Sequence, residues 1–181
     1  LGGYKKEIIT DITISVNDPE EMARDSISAI ERGFNTLKIK VGKNASEDIR
    51  RMKAIREAVG YEVKLRIDAN QGWKPKEAVM ALRKMEDEGL DIEFVEQPVA
   101  AHDIEGLKFV TDNISIPVLA DESVFSPEDA LNILQRRAAD LINIKLMKTG
   151  GLHNALKILI SSTISASAGS RKVSIPSIVI T

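Results

Sequence analysis

The sequence of 181 residues contains no cysteine. This absence excludes a disulfide-stapled scaffold, a thiolate metal site and a cysteine nucleophile. No apolar run approaches the length of a membrane-spanning helix, and the first ten residues, LGGYKKEIIT, lack the apolar centre of a signal peptide. We therefore expect a cytoplasmic protein that has no membrane partner.

An excess of charge of one sign is also missing. The 25 basic and 27 acidic residues are mixed along the chain and give a net charge of −2. Without a basic face, binding to nucleic acid or to an anionic membrane is not expected, which leaves a small molecule as the partner. Hydrophobic residues make up 43% of the chain and charged residues 29%, so the chain can bury a core of ordinary size.

Apolar, β-branched runs alternate with helical segments along the chain. The runs are IITDITISV, TLKIKV, VKLRIDA, DIEFVEQP, IPVLAD and LINIKLM. Helix start signals fall between them at Pro19, at Pro75 and at the SPED that begins with Ser126, and Ser46 is expected to open the second helix. A strand and a helix about every 25 to 30 residues predict parallel β/α units, in an open sheet or in a closed barrel. No GxGxxG follows the first strand, which disfavours a dinucleotide-binding sheet.

An ionisable residue stands at the C-terminal end of five successive predicted strands. In chain order these residues are Lys40, Asp68, Glu96, Asp121 and Lys145, separated by 28, 28, 25 and 24 residues. Each separation corresponds to one β/α unit, so a barrel would gather all five at the edge where the strands end. An open sheet would spread them along its length.

The residue types in this set suggest a reaction. Asp68, Glu96 and Asp121 form an all-oxygen ligand set, which suits Mg²⁺ better than zinc or copper. Lys40 and Lys145 would face each other across the cation. With a substrate carboxylate bound to the metal, one lysine could remove the proton from the adjacent carbon and the metal would stabilise the enediolate.

A second lysine, Lys38, lies in the same apolar run as Lys40, in the sequence LKIKVG. An ammonium group is costly to bury, so two of them in one predicted strand need a reason. The period of two along a strand places both lysines on the same face. Because a neighbouring ammonium favours the neutral amine, we predict that Lys38 tunes Lys40.

Five motifs follow one another along the chain: KIKVG, RIDANQGW, EQP, ADES and NIKLMKTGG. In this order and at these intervals they resemble the barrel domain of the enolase superfamily, muconate-lactonizing subgroup. NIKLMKTGG together with DANQGW is most similar to the dipeptide epimerases that act on L-Ala-D/L-Glu and related dipeptides. A histidine base of the mandelate-racemase kind is not expected, because neither His102 nor His153 lies at a predicted strand end.

The resemblance implies three kinds of site residue. The Mg²⁺ ligands would be Asp68, Glu96 and Asp121. The acid/base catalysts would be Lys40 and Lys145, with Lys38 as an electrostatic helper. The residues next to the ligands or on the substrate side would be Asn70 and Glu122. Lysine bases that work with Mg²⁺ are established for this superfamily, so that pairing depends on the resemblance as well as on the residue types.

The resemblance runs from about Leu1 to Ile158 and stops there. We expect residues 1–160 to form about six β/α units of an incomplete TIM-type barrel, with the capping domain of the family absent. Residues 161–181 are expected to be an atypical, serine-rich tail. Since a full barrel has eight units, six of them predict an α/β sheet that stays open at its edges.

The expected function is Mg²⁺-dependent dipeptide epimerisation, a 1,1-proton transfer at the α-carbon, weakened by the missing parts. One alternative is another enzyme of the same subgroup: an N-acylamino-acid racemase, o-succinylbenzoate synthase or muconate cycloisomerase. A second alternative is a barrel fragment without catalytic activity. The sequence leaves open whether the chain forms a homo-oligomer.

Overall fold

Strands and helices alternate along the computed structural model, which describes residues 10–167 and their side chains as far as residue 162. The strands are β1 (Ile12–Ile14), β2 (Thr36–Lys40), β3 (Lys64–Asp68), β4 (Ile92–Glu96), β5 (Val118–Ala120) and β6 (Leu141–Ile142). The helices are α1 (Pro19–Glu31), α2 (Ala45–Val59), α3 (Pro75–Asp87), α4 (Ile104–Asn113), α5 (Pro127–Arg136), α6 (Leu146–Thr149) and α7 (Leu152–Ser167).

The six strands form one parallel sheet in the order β1-β2-β3-β4-β5-β6. Each strand pairs with the next strand in the sequence, as parallel β/α units require. Within residues 10–167, no further strand pairs with β1 or β6. The predicted α/β architecture, with an open sheet of about six units, is confirmed.

The two faces of the sheet have different compositions. One face packs against the helices through residues such as Ile39, Ile67 and Val95, which are fully buried and aligned across β2, β3 and β4. The opposite face carries a small apolar cluster that consists of Phe94, Leu119 and Leu141. Successive side chains of a strand point to opposite faces. The residues that directly follow Ile39, Ile67 and Val95 therefore project from the second face.

The predicted helix starts can be compared with the structure, and those at Pro19 and Pro75 are confirmed, since α1 and α3 begin there. The prediction that Ser46 opens the second helix is wrong, since Asn44 caps α2 and accepts a hydrogen bond of 3.1 Å from the backbone nitrogen of Glu47. Both side chains can cap a helix, and the extended backbone at Asn44 selects the earlier residue. The capping box at Ser126 is confirmed, because Ser126 and Asp129 each accept a hydrogen bond from the backbone of the other.

The last helix crosses the predicted boundary between the barrel portion and the tail. α7 runs to Ser167, and its residues Ile158 and Ser162 are buried. The hydroxyl of Ser162 donates to the carbonyl of Ile158 at 2.8 Å. Residues 168–181, most of the predicted tail, lie outside the described residues, so the division into residues 1–160 and 161–181 stays a prediction.

The loops that follow β2 and β3 touch each other through two glycines. A Cβ atom on Gly42 would lie 2.2 Å from the carbonyl oxygen of Ala69, and one on Gly72 would lie 2.1 Å from the carbonyl oxygen of Gly42. The backbone nitrogen of Val41 also donates to the carbonyl of Asp68 at 3.0 Å. Neither glycine position has room for a side chain, so these two loops are held together backbone to backbone.

Replacing Gly42 by alanine should destabilise the fold more than replacing Gly33. Both residues have a positive φ, +98° and +95°, so alanine meets a similar backbone strain of about 1 to 2 kcal/mol at either position. Gly33 has no other atom within 4 Å of its added Cβ, whereas Gly42 adds the clash with Ala69, roughly 1 to 3 kcal/mol. Urea unfolding of the two variants measures the difference, and equal midpoints would contradict the close approach.

Candidate active site

The pairing register brings the first three predicted site residues side by side. Lys40 pairs with Asp68, and Asp68 pairs with Glu96. Each of the three is the last residue of its strand. Residues in register on neighbouring strands share a face, so all three side chains project from the face of the sheet that the helices do not cover. We call the edge where these strands end the mouth.

Asp121 and Lys145 reach the mouth in a different way. Glu96 pairs with Leu119, so Asp121 lies two residues further on and just beyond the end of β5. Lys145 lies three residues after the end of the short strand β6, at Ile142, and immediately precedes α6. The expectation that these two residues end strands is therefore wrong, because β5 and β6 are short. The structure nevertheless brings them together, with Lys145 Nζ 2.6 Å from Asp121 Oδ2.

Lys38 joins two of the carboxylates. Its ammonium nitrogen lies 2.9 Å from Asp68 Oδ2 and 2.6 Å from Glu96 Oε2. Lys40 Nζ lies 2.8 Å from the same oxygen of Asp68. The two lysines of LKIKVG therefore meet at one carboxylate oxygen, and Lys38 neutralises Glu96 as well.

The pKa values at this end of the mouth follow from burial and from neighbouring charges. Burial raises the pKa of the Glu96 carboxyl, and the negative charges of Asp68 and Asp121 add to that effect, whereas Lys38 opposes it. Burial alone would lower the pKa of Lys38, but its contacts with Glu96 and Asp68 outweigh burial and raise it. Lys38 is therefore a fixed cation at neutral pH.

Asp121 is held by two lysines, one of which sequence reasoning did not assign. Besides Lys145, Lys148 of α6 donates to the backbone carbonyl of Asp121 at 2.6 Å and to its Oδ1. Burial alone would raise the pKa of the Asp121 carboxyl, but the hydrogen bonds and charges of Lys145 and Lys148 lower it. Asp121 is thus an ionised carboxylate with an ammonium group on each oxygen.

Asn143 is a second site residue that sequence reasoning missed. It is buried, and its Nδ2 donates to Glu96 Oε1 at 3.1 Å, on the oxygen that Lys38 does not contact. Its own Oδ1 is buried and has no hydrogen-bond partner in the described part of the chain. The position could have been found from the sequence, because Asn143 precedes Lys145 by two residues just as Lys38 precedes Lys40.

Asn70 and Glu122 lie beside the buried carboxylates of the mouth, and their predicted roles stay predictions. The backbone nitrogen of Asn70 donates to Asp68 Oδ1 at 3.0 Å, and its Oδ1 accepts a hydrogen bond from Lys40 Nζ. Its Nδ2 donates to Glu122 Oε1 at 3.1 Å. Oε2 of Glu122 is buried and has no hydrogen-bond partner among the described residues. Asn70 thus connects Lys40 to Glu122, whose second carboxylate oxygen accepts no hydrogen bond from the described residues.

The donor set fits a hard divalent cation by its chemistry. Asp68, Glu96 and Asp121 are each only 2% exposed, and carboxylate oxygens are the ligands that Mg²⁺ prefers. Within residues 10–167, however, no three histidine, aspartate or glutamate side chains stand together as a metal site, so an ion would have to displace the lysines from the carboxylate oxygens. Oxygens of Asp68, Glu96 and Asp121 instead contact the ammonium groups of the mouth. These groups supply the positive charge that the buried carboxylates require.

Comparisons with known proteins agree on one family. The family model described as Enolase C-terminal domain-like matches residues 21–161. The L-Ala-D/L-Glu epimerases of Clostridium acetobutylicum and Bacillus subtilis are 68% and 61% identical to the chain, over 158 and 159 residues. The alignments cover 87% of this chain but only 44% and 43% of those two proteins. The chain therefore spans less than half the length of these relatives.

Solved structures show the same arrangement of strands and helices. The substrate-liganded L-Ala-D/L-Glu epimerase from Bacillus subtilis matches with a TM-score of 0.90 and 57% identity, covering 91% of this chain and 46% of that one. The Enterococcus faecalis dipeptide epimerase complexed with Mg and the dipeptide L-Leu-L-Tyr matches with a TM-score of 0.88 and 50% identity, again covering 91% and 46%. Since the family model also spans more than half of the chain, the chain belongs to the Enolase C-terminal domain-like family.

Proposed function

We propose that the chain is the catalytic part of a Mg²⁺-dependent dipeptide epimerase. The observation that carries the proposal is the seating of two lysines on two different buried carboxylates of one mouth, Lys40 on Asp68 and Lys145 on Asp121. Glu96 lies between them in the sheet order and feels the charge of both aspartates. The similarity to dipeptide epimerases supports a dipeptide as the substrate class.

The two lysines can exchange a proton at one carbon atom. As a free amine, one lysine takes the proton from the α-carbon of the C-terminal residue, and the electron pair of the broken C–H bond moves toward the substrate carboxylate. The other lysine, as an ammonium, donates a proton to the opposite face and forms the new C–H bond. When bound, Mg²⁺ would supply positive charge next to that carboxylate. Lys40 and Lys145 suit these two roles because they reach the mouth from opposite sides of Glu96.

The remaining residues of the mouth would hold and orient the ligand oxygens. Asp68, Glu96 and Asp121 are the proposed Mg²⁺ ligands, and the ion would compete with the lysines for their oxygens. Lys38 would keep a positive charge beside Lys40, since both ammonium groups contact Asp68 Oδ2. That Lys38 thereby tunes Lys40 stays a prediction, as does a substrate-side role for Glu122.

The alternatives from the sequence would use the same mouth. A racemase of N-acylamino acids or another enzyme of the subgroup would differ in the substrate, so a panel of dipeptides and N-acylamino acids distinguishes them from an epimerase. A fragment without catalytic activity would exchange no α-proton of any member of the panel.

In the described part of the chain, no helix is both long and apolar enough to cross a membrane. A cytoplasmic location, the absence of a nucleic-acid partner and the oligomeric state stay predictions.

Mg²⁺ should raise the melting temperature of the chain. A ligand that binds only the folded state stabilises it by mass action, by about 2.7 kcal/mol at a hundred times its dissociation constant. Asp68→Asn, Glu96→Gln and Asp121→Asn should each remove this rise, which thermal unfolding at increasing Mg²⁺ concentrations measures. Asp25→Asn, at an exposed position of α1, is the control and should keep it. A full Mg²⁺ response in all three mouth variants would refute the ligand assignment.

Lys40→Ala and Lys145→Ala should each abolish epimerisation. Because each lysine serves one face of the α-carbon, each variant should still exchange the α-proton of one epimer, and a different epimer in the two variants. The measurement is deuterium incorporation into L-Ala-L-Glu and L-Ala-D-Glu in D₂O with Mg²⁺, followed over hours so that slow exchange is detected.

The matched control for the lysine variants is Lys43→Ala. Lys43 is exposed in the loop after β2, close in sequence to Lys40, and should be replaceable without loss of exchange. Epimerisation at the rate of the unmodified chain in either Lys40→Ala or Lys145→Ala would exclude the two-lysine mechanism.

A further inference from the structure

Asp48 is a buried carboxylate whose hydrogen bonds go to none of the five residues predicted to line the mouth. It belongs to the first turn of α2 and is 0% exposed. Its Oδ2 accepts hydrogen bonds from the backbone nitrogens of Gly42 (2.9 Å) and Asn44 (3.3 Å) and from Trp73 Nε1 (3.2 Å). Its Oδ1 accepts one from Arg51 Nη1 at 2.9 Å. Four donors thus offset the cost of burying this charge.

The donors to Asp48 come from different parts of the chain. Gly42 lies in the loop after β2, two residues beyond Lys40, and Trp73 lies in the loop after β3, three residues beyond Asn70. The same two loops pack backbone to backbone where Gly42 meets Gly72. Asp48 therefore ties together the two loops that begin at Lys40 and at Asp68.

The relative position of these loops fixes the contacts of Lys40. Lys40 Nζ reaches Asp68 Oδ2 at 2.8 Å and also donates to Asn70 Oδ1, on the neighbouring loop. Asn70 has φ +43°, in the left-handed region, which is uncommon for a non-glycine residue although asparagine enters it more readily than most. If the two loops moved apart, Asn70 would leave Lys40, and a shift of about 1 Å at a reacting group can cost roughly a hundredfold in rate.

We propose that Asp48 is a positioning residue that keeps Lys40 seated against Asp68 and Asn70 by clamping the loops after β2 and β3. The proposal rests on the proposed function for the meaning of Lys40 as an acid/base residue. The clamp itself requires neither metal nor substrate, so it can be tested without them.

The alternative is that Asp48 only stabilises the fold. The same helix offers a matched comparison at its other end, where the buried residue Arg56 donates to the carbonyls of Leu90, Asp91, Gly60 and Val63. Both residues tie α2 to neighbouring loops, Arg56 through four hydrogen bonds and Asp48 through three, since its fourth donor, Arg51, lies in α2 itself. Arg56 does so at the end of the sheet opposite to the mouth, so it stabilises the fold without touching the loops that carry Lys40 and Asn70.

The test is the rate at which Lys40 is acetylated by acetic anhydride in the folded chain, without metal, measured by mass spectrometry of its peptide. Lys40 is 30% exposed and bonded to Asp68, and we expect Asp48→Ala to raise its rate roughly threefold or more as the loops open locally. The rate at Lys145, whose contacts do not involve these loops, should stay the same. Asp48→Asn keeps one oxygen able to accept from Gly42 and Trp73, and should restore most of the protection.

The control is Arg56→Met, which removes four hydrogen bonds at the far end of α2 and should leave the acetylation of Lys40 unchanged. Trp73→Phe keeps the packed ring but removes one donor to Asp48, so it should raise the Lys40 rate to a smaller extent and tests the proposal if Asp48→Ala does not fold. An unchanged Lys40 rate in the folded Asp48 and Trp73 variants would overturn the proposal. An equal rise in Arg56→Met, or at Lys145, would overturn it too.

The failure of the proposed function would look different from either of these results. It would appear as no Mg²⁺-dependent exchange of the α-proton with any substrate of the panel, while the acetylation rates stayed as expected.

Discussion

Ammonium groups lie against each of the three carboxylates that are buried together at the mouth. Asp68, Glu96 and Asp121 are each 2% exposed, and like charges at such spacing would otherwise favour protonation or unfolding. The charge comes from four lysines, Lys38, Lys40, Lys145 and Lys148, each within ion-pair distance of a carboxylate. The lysines of LKIKVG, costly in an apolar strand when considered alone, are therefore required by the carboxylates of the neighbouring strands.

This network limits how the sheet can pair. A slip of one residue between β2 and β3 would turn Asp68 toward the helices, where its neighbour on β2 would be Ile39 instead of Lys40. The second half of the mouth follows another rule, since β5 and β6 end before Asp121 and Lys145. There the loops and the short helix α6 bring Lys145 and Lys148 to Asp121, and Asn143 to Glu96.

The sequence predicted what depends on periodicity, and missed what depends on contacts between loops. The alternation of strands and helices and the alignment of Lys40, Asp68 and Glu96 follow from the regular spacing of β/α units. Lys148 could not be assigned in this way, because its contact with Asp121 depends on the turn into α6. Asp48 gave no signal at all, since an aspartate in the first turn of a helix is common and its bond to Trp73 joins residues 25 positions apart.

Fully buried side chains that bind loop backbones form a frame beneath the ion pairs. Asp48 does this for the loops after β2 and β3. Gln97, also 0% exposed, does it for the loops after β4 and β5, because its Oε1 accepts from the backbone nitrogens of Asp121 and Ser123 and its Nε2 donates to the carbonyl of Val99. The lysines above this frame are 15% to 30% exposed at Lys38, Lys40 and Lys145. The ammonium groups therefore lie at a partly open surface, while the backbone that carries them is held from below by buried side chains, and the proposed proton transfer would depend on such fixed positions.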